Sequence, residues 1–425
     1  MWRIRRGMDR RFRAGHPWVY SNELLESPKG IEPGDLVELQ DAGGQFLARG
    51  MGNPQSLISF RTLTRDPRIS DPYGFEELLQ VLKNAAELRK AMGFGPYSHR
   101  LCFGEADGLA GLVIDRYVTL RGQVFVVQAH TGGADRILSQ ILGLLESLTQ
   151  SAYFEFEWSK TGVVVRNDLS VRKLEGLAEE EPRVLREIAG EDLRSVQIAV
   201  RSVLDDNSLS FKVDLIHGQK TGFFLDQFAN IQNAAIRFKD LPGKKIRILD
   251  LCCYVGQWGA QLGKALLQSG KEVEVLAVDA SQQSLELAQK NIQAAGVECK
   301  IWKADVIKDL GQLSDQSFDI VISDPPALIK NRKDIPAGTH AYLQLATQAM
   351  RLVRSGGGIV CCSCSALLEE ESFIQTLAKA AQRNRRTVQW VGRSAQSPDH
   401  PMLLEFPEGR YLKCWVGVLG KLTKT

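Results

Sequence analysis

The chain has 425 residues, with 53 lysines and arginines against 50 aspartates and glutamates, and a net charge of only +3. Its 44% hydrophobic and 24% charged content is that of an ordinary globular protein, so it is no polycation. The length exceeds what one core serves and predicts two or three domains; no apolar run reaches the roughly 18 to 20 residues that span a bilayer, so no membrane partner is expected.

The first residues, Met1-Trp2-Arg3-Ile4-Arg5-Arg6, lack the apolar core of a signal peptide. Eight cysteines in so long a chain, several adjacent, do not form the pattern of a disulfide framework, and a reducing cytoplasm is the expected compartment. Arg3, Arg5, Arg6, Arg10, Arg11 and Arg13 precede Gly15-His16-Pro17-Trp18-Val19-Tyr20. Cations that neutralise phosphates, interleaved with rings that stack on bases, suit RNA. Arg5, Arg6, His16 and Trp18 are the candidate contacts. A solvated basic tail beside core aromatics explains the same pattern.

Short strands around Leu36–Leu39, Phe46–Arg49 and Ile58–Arg61, with a turn at Asp41-Ala42-Gly43-Gly44, predict a small antiparallel barrel or sheet over 1–72. Asp66-Pro67 and Asp71-Pro72 read as a linker. Phe75 to Met92 has the apolar stripe of a helix, and the segment 73–195 adds strands near 112–114, 124–127 and 162–165 and a helix near 136–148. It reads as a small α+β domain. The third predicted domain is 196–425. From about residue 245 strands alternate with helices: strand 246–251, helix 257–268, strand 273–279, helix 282–295 capped by Ser281, a strand before Asp305, strand 318–323 and strand 358–362. That alternation predicts a parallel, doubly wound sheet.

Acidic residues close three of these strands. Asp250 precedes a turn containing Gly256 and Gly259, Asp279 ends the next strand, and Asp305 follows the third. A carboxylate at the Asp279 position accepts hydrogen bonds from ribose hydroxyls, and Asp305 is placed for an adenine edge. Cys252-Cys253-Tyr254-Val255-Gly256 lacks the G-x-G-x-x-G spacing that cradles a pyrophosphate. A cofactor with ribose and adenine but no phosphate fits better, namely S-adenosylmethionine; a flavodoxin-like sheet without one also puts aspartates at strand ends. The last predicted strand, after the turn signal Gly356-Gly357-Gly358, ends in Cys361-Cys362-Ser363-Cys364-Ser365, and the strand before it ends in Ser323-Asp324-Pro325-Pro326. A thiol and a carboxylate at two such ends form a nucleophile with a polar partner; inert core thiols are the alternative. Cys-Cys-x-Cys is not zinc spacing, and no metal is expected.

Leu249-Asp250-Leu251-Cys252-Cys253-Tyr254-Val255-Gly256 resembles the first motif of class I S-adenosylmethionine-dependent methyltransferases, in the form used by the PUA-domain-containing 23S rRNA cytosine-C5 methyltransferase family. Gly15–Tyr20, Gly104–Leu109, Arg172–Leu177, Gly218–Gln227, Ser323–Pro326, Ser363–Ser365, Asp399–Pro401 and Pro407–Lys413 agree with that family in order along the whole chain. Cys252, Gln257 and Trp258 stand where the family more often has Phe, Gly and Phe, and Leu328 replaces a usual Phe. The resemblance implies a Rossmann-like methyltransferase domain after a PUA-like RNA-binding barrel and an α+β insert. It implies large-subunit rRNA as partner, S-adenosylmethionine held by Gln227, Asp250, Gly256, Asp279 and Asp305, and catalysis by Cys364 with Asp324. A second copy of the chain stays open as a further partner. Two rival functions remain: methylation of an exocyclic amine without a thiol, against which Ala327 after Asp-Pro-Pro argues, and a non-catalytic RNA-binding assembly factor on this scaffold.

Overall fold

The computed structural model describes residues 1–26 and 28–422. They form two compact units, each built from segments distant in sequence. Among the described residues, the first holds 1–199, 214–223 and 398–409; the second holds 200–213, 224–397 and 410–422.

In the first unit the N-terminal part contains β1 (Trp2–Arg3), α1 (Arg10–Arg13), β2 (Trp18–Tyr20), β3 (Asp35–Gln40), β4 (Phe46–Gly52) and β5 (Ile58–Thr64). The sheet order is β1-β3-β4-β5-β2, with β1 parallel to β3 and the remaining pairs antiparallel. In β3, Val37 and Leu39 point inward while Glu38 and Gln40 do not, the period of two that a one-sided sheet requires. Trp2, Ile4, Phe12, Val19 and Phe60 close the core.

The second part of this unit contains α2 (Phe75–Ala91), β6 (His99–Phe103), β7 (Leu112–Val118), β8 (Gln123–Ala129), α3 (Gly132–Ile137), α4 (Ile141–Thr149), β9 (Thr161–Val165) and β10 (Arg183–Arg186). Its sheet runs β10-β9-β8-β7-β6, and leucines of α2 and α4 pack on Phe125, Val127 and Val163. The helix expected over 136–148 starts earlier and is broken. Thr131 accepts the Ala134 N–H and caps α3 at Gly132, and a single 3-10 turn separates α3 from α4.

The two parts have separate cores but share a buried charge cluster. Glu175, 4% exposed, accepts hydrogen bonds from Arg61 (2.8 Å), Asn53 (2.9 Å) and Ser56 (2.7 Å). A buried carboxylate is tolerated because a guanidinium and two neutral donors replace its water. A two-stranded sheet, β11 (Val196–Arg201) with β12 (Ser208–Val213), follows.

The second unit contains α5 (Phe228–Phe238), β13 (Lys245–Leu251), α6 (Gln257–Gln268), β14 (Glu272–Asp279), α7 (Gln282–Ala294), β15 (Glu298–Lys303), β16 (Phe318–Ser323), α8 (Ile335–Leu352), β17 (Val353–Ser363), α9 (Glu370–Arg383), β18 (Arg386–Ser394) and β19 (Lys413–Leu422). Its seven strands lie in the order β15-β14-β13-β16-β17-β19-β18. The first five are parallel; β19 is antiparallel to both its neighbours. Helices α5, α6 and α7 pack together, and α8 with α9 form a second pair. Because β13 has β14 on one side and β16 on the other, the strand order reverses there, and the carboxyl ends of these strands border the crevice where such sheets bind ligands.

One sequence expectation fails in β17. Gly356-Gly357-Gly358 reads as a turn but lies inside a strand of 11 residues. Phe318 pairs with Val353 while Ile320 pairs with Gly358, so the intervening residues bulge out of the ladder, with Gly356 at φ +76°. Bulges and turns draw on the same residue types, and the ladder on both sides decides between them.

Candidate active site

The loop after β13 folds back sharply. Cys252 (φ 62°), Tyr254 (φ 48°) and Gly256 (φ 79°) are all left-handed. Two of these are not glycine, a local strain held by surrounding bonds. The Tyr254 N–H donates to Asp279 Oδ2 at 3.0 Å, the Cys253 N–H to the Val278 carbonyl at 3.1 Å, and the Gly259 N–H to Asp250 Oδ2 at 3.0 Å. Gly256 itself cannot carry a side chain without displacement, since a Cβ would lie 3.0 Å from the Ala288 backbone of α7.

Asp250 therefore sits beneath the loop, fully buried, and shapes it. Its Oδ1 has no hydrogen-bond partner among the described residues. Burial pushes its pKa up to about 7, and the nearby charges of Asp324 and Asp279 push the same way. Asp279 is half-buried at the end of β14 and also accepts the Ser281 N–H at 2.9 Å. Asp305 lies just past β15, where its carboxylate accepts the Ile307 N–H at 2.9 Å and pairs with Lys308 at 3.1 Å; the Ile307 bond leads in holding its pKa below the ordinary value. The same four carboxylates, Asp279, Asp324, Asp250 and Asp305, all act on the Cys252 thiol, raising its pKa after burial has done so. So many negative charges would repel a pyrophosphate and attract a sulfonium with its ammonium group. On charge, on the closed loop and on the carboxylate at the end of β14, the residues fit S-adenosylmethionine.

Across β13, Asp324 follows β16. Its Oδ2 accepts the Gln227 amide at 2.8 Å and the Trp258 indole N–H at 3.0 Å. Asn230 in turn donates to Gln227 Oε1 at 2.6 Å. Gln227, expected at the cofactor, thus has its amide on Asp324 and orients it. Trp258 does the same through a group that phenylalanine lacks. Cys364 lies just beyond β17, half-buried, and its thiol reaches the Pro325 carbonyl at 3.8 Å. The Ser-Cys-Ser and Asp-Pro-Pro segments therefore meet. Cys361 and Cys362 are buried within β17, and burial raises both thiols. Cys361 belongs to the core under α8 and α9, while Cys362 pairs across the strands with Cys414. Ser365 is fixed by the Tyr342 hydroxyl at 2.9 Å and by the Ile329 N–H at 3.1 Å.

The N-terminal candidates separate into two kinds. Arg5 and Arg6 are exposed, although Arg5 Nε donates to the Leu24 carbonyl at 2.7 Å. His16 is 2% exposed, with its Nε2 3.0 Å from Arg11 and 3.1 Å from Glu408. Trp18 gives its N–H to Glu105 at 2.8 Å and packs edge-on against Phe406 at 4.6 Å. Neither ring is an open platform in this structure: the aromatics hold the unit together, and the exposed arginines carry the charge. Arg3 and Arg13 are already paired, with Glu26 at 2.6 Å and with Asp9 and Asp41 at 2.5 and 2.6 Å.

Sequence reasoning assigned no role to Trp258, Tyr342 and Lys413, which reach the site by hydrogen bonds across long separations, nor to Asn230, which reaches it through Gln227 three residues before it. Only Trp258 and Lys413 lie within motifs visible in the sequence.

Two family models match the chain: a PUA-like domain over 3–65 and a methyltransferase small domain over 232–389. Along nearly its full length the chain is 31% identical over 420 residues to ribosomal RNA large subunit methyltransferase I of Shewanella denitrificans, covering 97% of each. It is 32% identical over 423 residues to the protein of that name from Photobacterium profundum, covering 97% of this chain and 98% of that one. The chain belongs to the ribosomal RNA large subunit methyltransferase I family. Solved structures with the same fold include a methyltransferase complexed with SAH (TM-score 0.74, 17% identity, 98% of this chain and 99% of that one). Another, described as S-adenosylmethionine-dependent, comes from Streptococcus mutans (TM-score 0.72, 17% identity, 98% and 100%). The family is one of S-adenosylmethionine-dependent, PUA-containing methyltransferases of large-subunit ribosomal RNA.

Proposed function

We propose that this member of the family forms 5-methylcytosine in large-subunit rRNA through a covalent adduct on Cys364. The meeting of Cys364 with the Asp-Pro-Pro segment, thiol to Pro325 carbonyl at 3.8 Å, carries the reading. Cytosine C5 is a poor nucleophile. When the Cys364 thiolate bonds to C6, the ring electrons move toward C5 and N3, and C5 becomes an enamine carbon able to take a methyl group. Asp324, held by Gln227 and Trp258, accepts the N4–H and the N3–H that protonation creates. Loss of the C5 proton then restores the C5–C6 double bond and expels the thiolate, and N3 returns to solvent the proton it took up on addition. S-adenosylmethionine supplies the methyl group as an electrophile on a sulfonium. Mass mapping of large-subunit rRNA from a strain lacking the gene tests the reading: one 5-methylcytosine disappears and returns with the wild-type gene. A lost methyl on an exocyclic amine would point to the thiol-free chemistry.

Asp279 is the ribose ligand in this reading. Asp279→Ala should weaken S-adenosylmethionine binding by about 1.5–3 kcal/mol, the scale of a hydrogen bond to a charged group. Unchanged affinity by calorimetry in a folded variant removes Asp279 from the site.

For RNA, substitution suits better than deletion of 1–72, because deletion would leave Glu175 buried without Arg61, Asn53 and Ser56. Arg5→Ala with Arg6→Ala should lower rRNA affinity and reduce the dependence of log K on log salt by about 1 for each phosphate no longer neutralised. An unaltered salt slope returns these arginines to the role of a solvated edge. Eight cysteines outside any disulfide suit the cytoplasm, where the rRNA is also found. A homodimer is the further partner reading, and sedimentation of the full chain tests it.

A further inference from the structure

Lys413 opens β19 directly opposite Ser363, one residue before Cys364. It is 7% exposed, yet it carries an ammonium group. Its Nζ donates to the Ser365 carbonyl at 2.7 Å and to the Leu368 carbonyl at 2.8 Å. The Leu368 N–H also returns to the Ser365 carbonyl at 3.1 Å, so the ammonium closes the turn that leaves the strand behind the thiol. Burying a lysine is costly and is seldom retained where a neutral side chain would pack as well. Two carbonyls offset part of that cost. They are dipoles, and neither supplies the negative charge that a buried cation needs.

We infer that Lys413 is a positioning residue: it pins the turn after Cys364 and supplies the counter-charge for the Cys364 thiolate. The inference rests on the reading of Cys364 as the nucleophile. Burial lowers the Lys413 pKa to about 8, and the interaction with Cys364 acts in the opposite direction, with Glu370 of α9 adding to it. The ammonium and the thiol are thus within electrostatic reach. Titratable groups facing this corner include the Tyr342 hydroxyl from α8, whose pKa is raised chiefly by burial, and Asp324 after β16, whose charge acts on the neighbouring Cys362. The Asp324 carboxylate opposes negative charge here while Tyr342, its pKa raised, stays neutral, and Lys413 is a cation that favours the thiolate. The same charge serves twice in the reaction: it favours release of the thiol proton to solvent before C6 is attacked, and it stabilises the thiolate when the product is released.

The test is the pH profile of Cys364 alkylation by iodoacetamide in the full-length protein, followed by mass spectrometry of the Cys364 peptide. Each rate is divided by its own high-pH plateau, so that altered access does not enter. The wild type should show a midpoint below the ordinary thiol value of roughly 8.5. Lys413→Met should slow normalised alkylation at pH 7 by about tenfold, one pKa unit, while Lys413→Arg keeps most of the wild-type rate. A wild-type midpoint at or above about 8.5 overturns the inference, and so does a Lys413→Met profile that overlies the wild type. If Lys413→Met does not fold, the wild-type midpoint decides alone. Covalent trapping on 5-fluorocytosine RNA is run beside it. Trapping that survives Cys364→Ala removes the nucleophile reading itself, whereas trapping lost in Cys364→Ala with an ordinary wild-type midpoint removes only the role of Lys413.

Discussion

Cys364→Ala is expected to lower methyl transfer by on the order of 10⁴-fold or more while S-adenosylmethionine still binds, because it removes the one group that can turn C5 into a nucleophile. The thiol lies beyond the end of β17, half-buried beside Pro325, whereas the residues proposed for the cofactor cluster around β13 and β14. Binding and chemistry should therefore separate in one variant. The neighbouring cysteines provide the control. Cys361 packs in the core and Cys362 faces Cys414, both in settings that keep a thiol protonated. Cys361→Ala and Cys362→Ala should each cost about 1 kcal/mol of stability and retain activity. RNA with 5-fluorocytosine at the target should trap the wild type, since no C5 proton is left to lose. Normal turnover by the Cys364→Ala protein would sink both the nucleophile and the mechanism.

The second large effect is on stability. Glu175→Ala should destabilise the protein by about 3–5 kcal/mol, the cost of leaving a buried charge without its partner. Arg61, 6% exposed, loses its 2.8 Å partner, and Asn53 and Ser56 lose acceptors at the same time. Glu105 at 3.6 Å is the remaining carboxylate near Arg61 and is too far to replace a direct bond. Replacing both members, as in Arg61→Met with Glu175→Leu, should recover much of the loss, because neither charge of the pair is then left in the interior and Glu105 keeps its bonds from the Trp18 and Gly111 N–H groups. Urea unfolding measures both. A Glu175→Ala loss below about 1 kcal/mol would show that water reaches the cluster and solvates Arg61.

Local pattern is sufficient for the elements and for most of the edge chemistry. The stripe over 75–91, the helix 257–268, the strands 273–279 and 318–323 and the Ser281 cap all lie within a residue or so of their expected places. Their periodicity is strong, and each is bounded by a cap or a turn residue. The acidic strand ends and Ser363-Cys364-Ser365 are legible for the same reason: a polar residue closing an apolar strand stands out.

Other features depend on partners far away in the chain, and no local pattern encodes them. Whether Gly356-Gly357-Gly358 turns or bulges is decided by the ladder with β16. The strands β18 and β19 escape a reading of local pattern, and β19 takes its place between β17 and β18 only once the sheet exists. His16 and Trp18 look like exposed rings until Phe406 and Glu408 arrive against them. Gln227 faces Asp324 because α5 and β16 converge, and Lys413 meets the turn after Cys364 because β19 runs beside β17. Period and neighbouring turn residues are enough to say which side chains end which strands. They cannot say which carboxylate braces the loop, which one awaits a ligand, or which cation stands behind the thiol. Those roles depend on burial and on distances across the sheet, which exist only after distant segments have packed.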